Sequence, residues 1–381
     1  IGLKIEYMKQ ESTRWIYDTT FRDGSQGEGI SLSLEDKLKI ARKLDQMGVP
    51  FIEGGWPGAN PKDVQFFWKL QEEPLKTSKV VAFCSTRRPN LAAAEDKMLQ
   101  AILAAGTQWV TIFGKSWDLH VNETLKTSLH ENLAMIRDTI ESLSSQGSKV
   151  IYDAEHWFDC YYNNSEYALK TLKTALEAGA EWLVLCDTNG GTLPHEVSQI
   201  VTEIIAAFPD FHHTAAGKLG INTHNDSGTA VANAIAAVMS GATMVQGTIN
   251  GYGERCGNAN LCTLIPNLQL NLGYHCLADQ QLGQLSPTSR LISEIVNLAP
   301  DDHAPFVGRS AFAHKAGVHV SAVAKNPLTY EHIQPELIGN QRRIVISDQS
   351  GLSNVLHYAA KFGINLGKQD VSCRQILEKL K

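Results

Sequence analysis

The stretch Trp15–Trp56, WIYDTTFRDGSQGEGISLSLEDKLKIARKLDQMGVPFIEGGW, holds one complete strand–helix–strand unit. Trp15–Asp18 is a short strand run and Leu34–Met47 has helical periodicity. Gly48 stands where a C-cap belongs, and Phe51–Trp56 is the next strand. Outward from this unit the alternation repeats about every thirty residues, the pattern of a parallel α/β sheet. Further strands are expected at Lys79–Cys84, Trp109–Gly114, Lys149–Glu155, Trp182–Thr188, Leu219–Asn225 and Met244–Gly251, eight in all. Helices are expected at Pro61–Glu72, Leu91–Ala105, Ser128–Gln146, Glu166–Ala178, Pro194–Ala207 and Thr229–Ser240. Eight such units make a (β/α)8 TIM barrel; a doubly wound sheet, the competing reading, seldom needs so many regular repeats.

From Tyr274 the pattern changes through Pro287, Pro300 and Pro305, and Ser289–Leu298 reads as a helix. The barrel is therefore expected over 1–275 and a smaller, mostly helical accessory region over 276–381. Cys373–Lys381 reads as a helix without a C-cap glycine, so the chain is expected to continue into a further domain.

Of the 381 residues 43% are hydrophobic and 19% charged, which excludes disorder, and no apolar run is long enough for a membrane helix. The net charge of -6, without a basic block, argues against nucleic acid and for a small partner. Seven cysteines without a C-x-x-C pair, with Cys84, Cys186 and Cys262 in apolar surroundings, point to a reducing cytoplasm.

In such a barrel the chemistry gathers at the C-terminal ends of the strands. Here those ends carry Asp18 to Gly24, Glu53, Asp153, Glu155-His156, Asp187-Thr188-Asn189, Asn222, His224-Asn225-Asp226 and Asn250. Asp23, Asn222, His224 and Asn258 form a plausible ligand set for one divalent cation, and the spacing of Asn222 and His224 puts both on one side of a strand. The mixed oxygen and nitrogen donors suit Mn²⁺, Mg²⁺, Co²⁺ or Zn²⁺ rather than Ca²⁺. A hydrogen-bonded polar cluster closing the barrel is the competing reading. Arg22 is either a salt-bridged turn residue or a stabiliser of oxygen charge beside the metal. Glu155 is either a solvated acid or a general base. Gly251–Asn258 lacks G-x-G-x-x-G and a Walker lysine, so it reads as a tight turn carrying Glu254, Arg255 and Asn258 into the mouth.

YDTTFRDGSQ (Tyr17–Gln26), THNDSGTAVAN (Thr223–Asn233) and GYGERCGNANL (Gly251–Leu261) resemble the Claisen-condensing, metal-dependent TIM barrels, the DRE-TIM metallolyase family. That group holds 2-isopropylmalate, homocitrate and citramalate synthases, with hydroxymethylglutaryl-CoA lyase as a mechanistic relative. EGGWPGANPKD (Glu53–Asp63), AEHWFDCYYNN (Ala154–Asn164) and Ala313–Arg343 resemble the citramalate synthase branch. The resemblance implies metal ligation by Asp23, His224 and Asn258, oxyanion stabilisation by Arg22, and Glu53 as the supporting acid of strand two. It also implies Thr188 as the holder of a 2-oxo acid carboxylate, Glu155 and His319 in proton transfer, and Tyr330 near the thioester. Asp153 and Glu254 complete the candidate substrate contacts. One position departs: the family pattern is H-x-H-N-D, and Asn222 stands where the first histidine would be.

The implied activity is condensation of acetyl-CoA with pyruvate to citramalate, on the route to isoleucine, by a homodimer in which His319 reaches a barrel mouth in cis or in trans. Larger acceptors, 2-oxoisovalerate or 2-oxoglutarate, give the 2-isopropylmalate and homocitrate alternatives. A lyase and a non-catalytic regulatory barrel are the remaining readings.

Overall fold

Eight short parallel strands close on themselves in chain order in the computed structural model, which describes residues 12–208, 218–348 and 350–380. They are β1 Trp15–Asp18, β2 Phe51–Gly55, β3 Lys79–Ser85, β4 Trp109–Lys115, β5 Lys149–Glu155, β6 Trp182–Asp187, β7 Lys218–Thr223 and β8 Met244–Gly247. Pairing of β8 with β1, from Met244 opposite Trp15 to Gly247 opposite Asp18, completes the TIM barrel. Helices Leu34–Gln46, Pro61–Glu72, Lys97–Ala104, Leu129–Ser145, Ser165–Glu177, Pro194–Ala207 and Ala230–Met239 follow the first seven strands.

Within the barrel, three elements have a boundary that differs from expectation by two residues or more. The helix expected from Leu91 starts at Lys97, because Asp96 caps it by accepting the Met98 N–H (2.8 Å) while also taking the Arg88 N–H (2.9 Å). β8 stops at Gly247 rather than Gly251: the chain turns through Ile249–Gly251 with Asn250 in the left-handed region, and Asn250 bonds Ser293 instead of facing the mouth. β7 stops at Thr223, and His224 instead bridges to Asn258 in an isolated antiparallel pair.

Period-two alternation sorts the inward residues into layers. Phe51, Trp109, Trp182 and Met244 plug the N-terminal end, with the ammonium groups of Lys79, Lys149 and Lys218 lying 4.8 to 5.4 Å from aromatic rings there. Tyr17, Val81 and Ile151 fill the middle, where the Tyr17 hydroxyl meets Thr111 Oγ1 at 2.7 Å. Above them the same alternation brings Glu53, Phe83, Phe113, Asp153, Cys186, Asn222 and Gln246 to the C-terminal mouth. The end of β2 is reshaped by a register shift between Glu53 and Gly55. Gly55 takes a φ of +128°, and a Cβ there would lie 2.4 Å from the Asp63 carboxylate, so no larger residue fits. That carboxylate accepts the Trp56 N–H (2.8 Å) and pairs with the buried Lys37 (2.5 Å), aiming Trp56 over the mouth.

A second compact unit comprises Asp279–Arg290 and Ala299–Lys381, while Leu291–Leu298 returns to the barrel unit. The helix expected at Ser289–Leu298 spans Leu285–Ile295. Helices Gly317–Lys325, Leu352–Lys361 and Val371–Leu380 dominate the second unit; Lys381, the last residue of the expected terminal helix, lies outside the described residues. A small parallel pair, β9 Ala313–His314 and β10 Arg343–Ile344, accompanies them. Buried Glu331 accepts from His314 Nε2 (3.0 Å) and twice from Arg342 (2.6 Å each).

At the barrel's closed end, the Asp45 carboxylate accepts the backbone N–H groups of Lys76 (3.0 Å), Thr77 (2.9 Å) and Ser78 (2.8 Å), tying the first helix to the start of β3. Burial opposes its charge, but those N–H bonds outweigh burial and hold Asp45 below its ordinary value of 3.8. Its contribution is therefore present above that value and lost as pH falls through the lower folded one. Asp45→Ala is expected to destabilise the barrel by about 2 kcal/mol at pH 7 with unchanged turnover. The urea midpoints of the two proteins should converge as pH falls from 3.8 through the lowered folded value; a gap unchanged all the way through acid pH would show that Asp45 acts through packing.

Candidate active site

A cavity of about 220 Å³ opens at the C-terminal mouth. Arg22, in the turn after β1, is fixed at its rim. Its Nη1 donates to Asp23 Oδ1 (2.9 Å), while Nε and Nη2 donate to the two oxygens of Glu53 (3.3 and 3.4 Å). The guanidinium carbon lies 3.8 Å from the centre of the Phe83 ring. Thr19 Oγ1 donates to Glu53 Oε2 at 2.5 Å, so the acid under Arg22 is itself held. Burial works against the Arg22 charge, but Asp23 and Glu53 outweigh it and keep the guanidinium above its ordinary pKa. Glu53 is fully buried and is not among the residues lining the cavity. Its geometry is that of a support beneath Arg22 rather than of a substrate contact, because β2's bulge leaves it below the rim.

Asp153 does line the cavity. Burial, reinforced by the Glu53 charge, pushes its carboxyl well above the usual range, whereas Glu53 is raised by burial and partly relieved by Arg22. Asp153 Oδ1 accepts from Gln246 Nε2 (2.9 Å), and Gln246 Oε1 accepts from Asn222 Nδ2 (2.7 Å). This amide relay crosses the barrel between β5, β8 and β7. Asn222, with its NH₂ group engaged, is left with its oxygen as the donor atom for a cation.

Two buried polar atoms next to each other in the chain fold have no hydrogen-bond partner: His224 Nδ1 and Asn258 Oδ1. Their backbones form the antiparallel bridge that follows β7. Burial lowers the His224 pKa against the pull of Asp23, which keeps the ring neutral and its lone pair available. A neutral imidazole nitrogen, an amide oxygen and the Asp23 carboxylate are the donor types a divalent cation takes. Among the described residues no three His, Cys, Asp or Glu side chains converge on a common point, so the set depends on amide oxygens from Asn258 and Asn222. Asn258 is delivered by the Gly251–Gly257 turn: a Cβ on Gly257 would lie 2.0 Å from the Gly251 carbonyl oxygen, so the loop closes only around glycine.

Glu155 closes β5 and faces the cavity, with its Oε2 2.5 Å from Lys115 Nζ of β4. Thr188 follows β6 and lines the same cavity, its carbonyl held by Arg255 Nη2 (2.7 Å). Arg255 also clamps Asp226 at 2.8 and 3.0 Å. Glu254 lines the cavity with an exposed side chain.

Sequence reading passed over the apolar wall. Trp56, Phe83 and Phe113 line one side: the phenylalanine rings stack with centroids 5.2 Å apart, and Trp56 stands edge-on to both at 5.8 and 5.6 Å. Extending the alternation of Val81 and of Trp109 and Thr111 by one step would have pointed both phenylalanines inward. Gln246 and Lys115 were missed likewise. His319 and Tyr330 both belong to the second compact unit, with ring centroids 4.2 Å apart.

The HMGL-like family model matches residues 14–292, and the homocitrate synthase post-HMGL domain-like model matches 306–381. An (R)-citramalate synthase of Synechocystis sp. is 70% identical over 373 residues, covering 98% of this chain and 68% of that protein. A 2-isopropylmalate synthase of Sulfurisphaera tokodaii is 34% identical, covering 96% of this chain and 89% of the relative. The crystal structure of the HMG-CoA lyase of Bacillus subtilis superposes with a TM-score of 0.63 at 20% identity, over 76% of this chain and 95% of that one, a likeness of fold. A cavity built at the strand ends of a closed barrel, and relatives this similar across nearly the whole chain, lead to one assignment: the chain belongs to the HMGL-like family, on its (R)-citramalate synthase branch.

Proposed function

We propose that this chain condenses acetyl-CoA with pyruvate to give (R)-citramalate and CoA, at the cavity lined by Arg22, Asp23, Glu155, Thr188 and His224, with Asn258 bridged to His224. The observation that carries the site assignment is the pair of partnerless buried atoms, His224 Nδ1 and Asn258 Oδ1, facing the same end of the barrel as the fixed Arg22. Asp23, His224 and Asn258, with the Asn222 oxygen, would hold a divalent cation, Mn²⁺, Mg²⁺, Co²⁺ or Zn²⁺. Such an ion supplies Lewis-acid polarisation of a 2-oxo acid's ketone.

The protein's own groups do the rest. Thr188 donates its hydroxyl to the 2-oxo acid carboxylate, and the Trp56, Phe83 and Phe113 wall packs the acceptor's methyl group. The wall's bulk favours a methyl over the branched chain of 2-oxoisovalerate, a discrimination of about 1–3 kcal/mol. Glu155, paired with Lys115, takes a proton from the methyl of acetyl-CoA, and the enolate carbon bonds to the ketone carbon. The ketone oxygen gains the electron pair, and Arg22 stabilises that charge without moving, because Asp23, Glu53 and Phe83 already fix it. Proton return to that oxygen falls to His319, with Tyr330 beside it. Water then cleaves the thioester, releasing CoA thiol and a carboxylate. Glu53 and Asp153 support Arg22 and the amide relay, while Glu254 stays at the rim for substrate. A cytoplasmic location goes with this reading, in keeping with seven cysteines of which none forms a disulfide; among the described residues no helix is long and apolar enough to cross a membrane.

The direct test is release of CoA thiol from acetyl-CoA with each 2-oxo acid at saturating Mn²⁺. Release is expected with pyruvate, little with 2-oxoisovalerate or 2-oxoglutarate, and none in Asp23→Ala or His224→Ala. Silence of the unaltered chain with every acceptor would turn the reading to a non-catalytic barrel. Calorimetry of Mn²⁺ binding examines the unusual ligand: Asn222→His should tighten binding about tenfold as imidazole replaces an amide oxygen. Equal or weaker affinity would remove Asn222 from the ligand set.

The enolate must be kept from water, and an open barrel mouth does not do this by itself. In a homodimer the second unit of one subunit delivers His319 and Tyr330 to the other's barrel. Mixing inactive Arg22→Ala with inactive His319→Ala should then restore part of the thiol release, since some mixed dimers carry one intact site. No recovery, with subunit exchange shown by labelled chains, would place His319 in cis or outside the site.

A further inference from the structure

We infer that His156 is a positioning residue of the 2-oxo acid site, acting through its backbone N–H on Thr188 rather than through imidazole chemistry. The inference rests on the reading of Thr188 as the carboxylate donor.

His156 comes directly after Glu155, the last residue of β5, and takes φ 54° and ψ 34°. This left-handed conformation is unfavourable for a side chain with a Cβ and persists only where the surroundings enforce it. It turns the chain out of β5 within one residue, so that Glu155 still lines the cavity while the helix Trp157–Asn163 begins beyond it. The turn also directs the His156 N–H onto Thr188 Oγ1 at 2.9 Å.

That bond decides what the threonine can do. A hydroxyl has one proton to donate and two lone pairs to accept with. With a lone pair taken by the His156 N–H, the proton of Thr188 is left to point elsewhere, and Thr188 lines the cavity. Without the bond, the hydroxyl would be free to rotate, and its proton would be shared among other acceptors.

The conformation is locked by a closed circuit of hydrogen bonds. His156 Nδ1 meets Asp159 Oδ2 at 3.1 Å; Asp159 Oδ1 accepts from Asn189 Nδ2 at 2.9 Å; and Asn189 is joined by its peptide bond to Thr188. On its other side the imidazole packs on His120, with centroids 4.3 Å apart, and on Trp117 at 5.7 Å. Glycine or asparagine would adopt the backbone more readily. Histidine stands here because its ring ties the β5 turn to the residue after Thr188. A single bend therefore sets two substrate-facing groups, the base and the carboxylate donor.

The test compares substitutions that differ in backbone tolerance. His156→Val cannot hold the left-handed conformation, so it should raise KM for pyruvate about tenfold or more, the loss of one charge-assisted hydrogen bond, while KM for acetyl-CoA changes less than about twofold. His156→Gly keeps the bend and the N–H, and should stay within about threefold of the unaltered pyruvate KM. His156→Ala, with milder strain, takes the place of the valine chain if circular dichroism shows that chain unfolded. A glycine variant as impaired as the valine one would assign the role to the imidazole, and normal pyruvate KM in the valine or alanine chain would remove the role altogether; either result overturns the inference. Thr188→Val is the control: it should raise pyruvate KM at least as much. If it does not, Thr188 does not hold the 2-oxo acid and the site reading fails first; if it does while His156 variants are silent, only the inference falls.

Discussion

Everything at the mouth depends on keeping one cation, Arg22, inside a barrel that would rather exclude it. A guanidinium taken from water loses several kcal/mol of solvation, which only well-placed anions and hydrogen bonds offset. Glu53 and Asp23 supply them, the Phe83 ring packs on the guanidinium, and Arg22 still lines the cavity. The consequence spreads outward. Glu53 is fully buried, which raises its pKa against the pull of Arg22 and the bond from Thr19; the pKa of Asp153, on β5, is likewise raised by burial and by Glu53. Asp153 is engaged by a relay of amides, in which Gln246 donates to it and accepts in turn from Asn222.

The same logic separates the two ends of the barrel. At the N-terminal end three lysines sit over an aromatic plug, and burial together with mutual repulsion lowers the Lys79 pKa. Those cations are only partly buried, and Lys149 also pairs with Glu181 at 3.2 Å. At the mouth the charges are paired, deep and fixed, an arrangement that costs stability and lets a reaction centre develop charge without rearrangement. The buried Asp18, raised to about 7 by desolvation, is held by Thr20 on the outer side of β1 and belongs to the scaffold of the Arg22 turn.

How much of this was legible in the sequence follows from which interactions are local. Strand and helix existence came from periodicity and glycine caps, and β1, β5 and the helices Pro61–Glu72 and Pro194–Ala207 match their expected ranges. Boundaries moved where side chains separated in sequence intervened, as when Asp96 captured two N–H groups, or where a positive φ ended a strand, as at Asn250. Candidate residues in chain-adjacent motifs fall together at the mouth: Arg22 with Asp23 because both lie in the turn after β1, and Asn222 with His224 because residues two apart along a strand direction share a face. Phe83, Phe113, Gln246 and Lys115 carry no motif. They matter through partners 24 to 93 residues away, distances at which alternation gives the direction of a side chain but not its neighbour.

Asn222 shows how such long-range partners change the meaning of a motif. Read in isolation, asparagine at the first position of an H-x-H-N-D pattern is a loss, since amide oxygen is the weaker donor for transition metals. In the barrel its amide group is not free to rotate: Nδ2 is spent on Gln246, and Gln246 is spent on Asp153. An amide with its nitrogen engaged presents only its oxygen, so the orientation that ligation requires is already set before any ion arrives. Under the proposed ligation, the arrangement would also link the cation's binding face to the protonation of Asp153, since a charged Asp153 would strengthen its bond to Gln246 and polarise the whole relay. As the proposed ligand, asparagine would trade intrinsic donor strength for preorganisation, and the glutamine on β8 is what would make the trade workable.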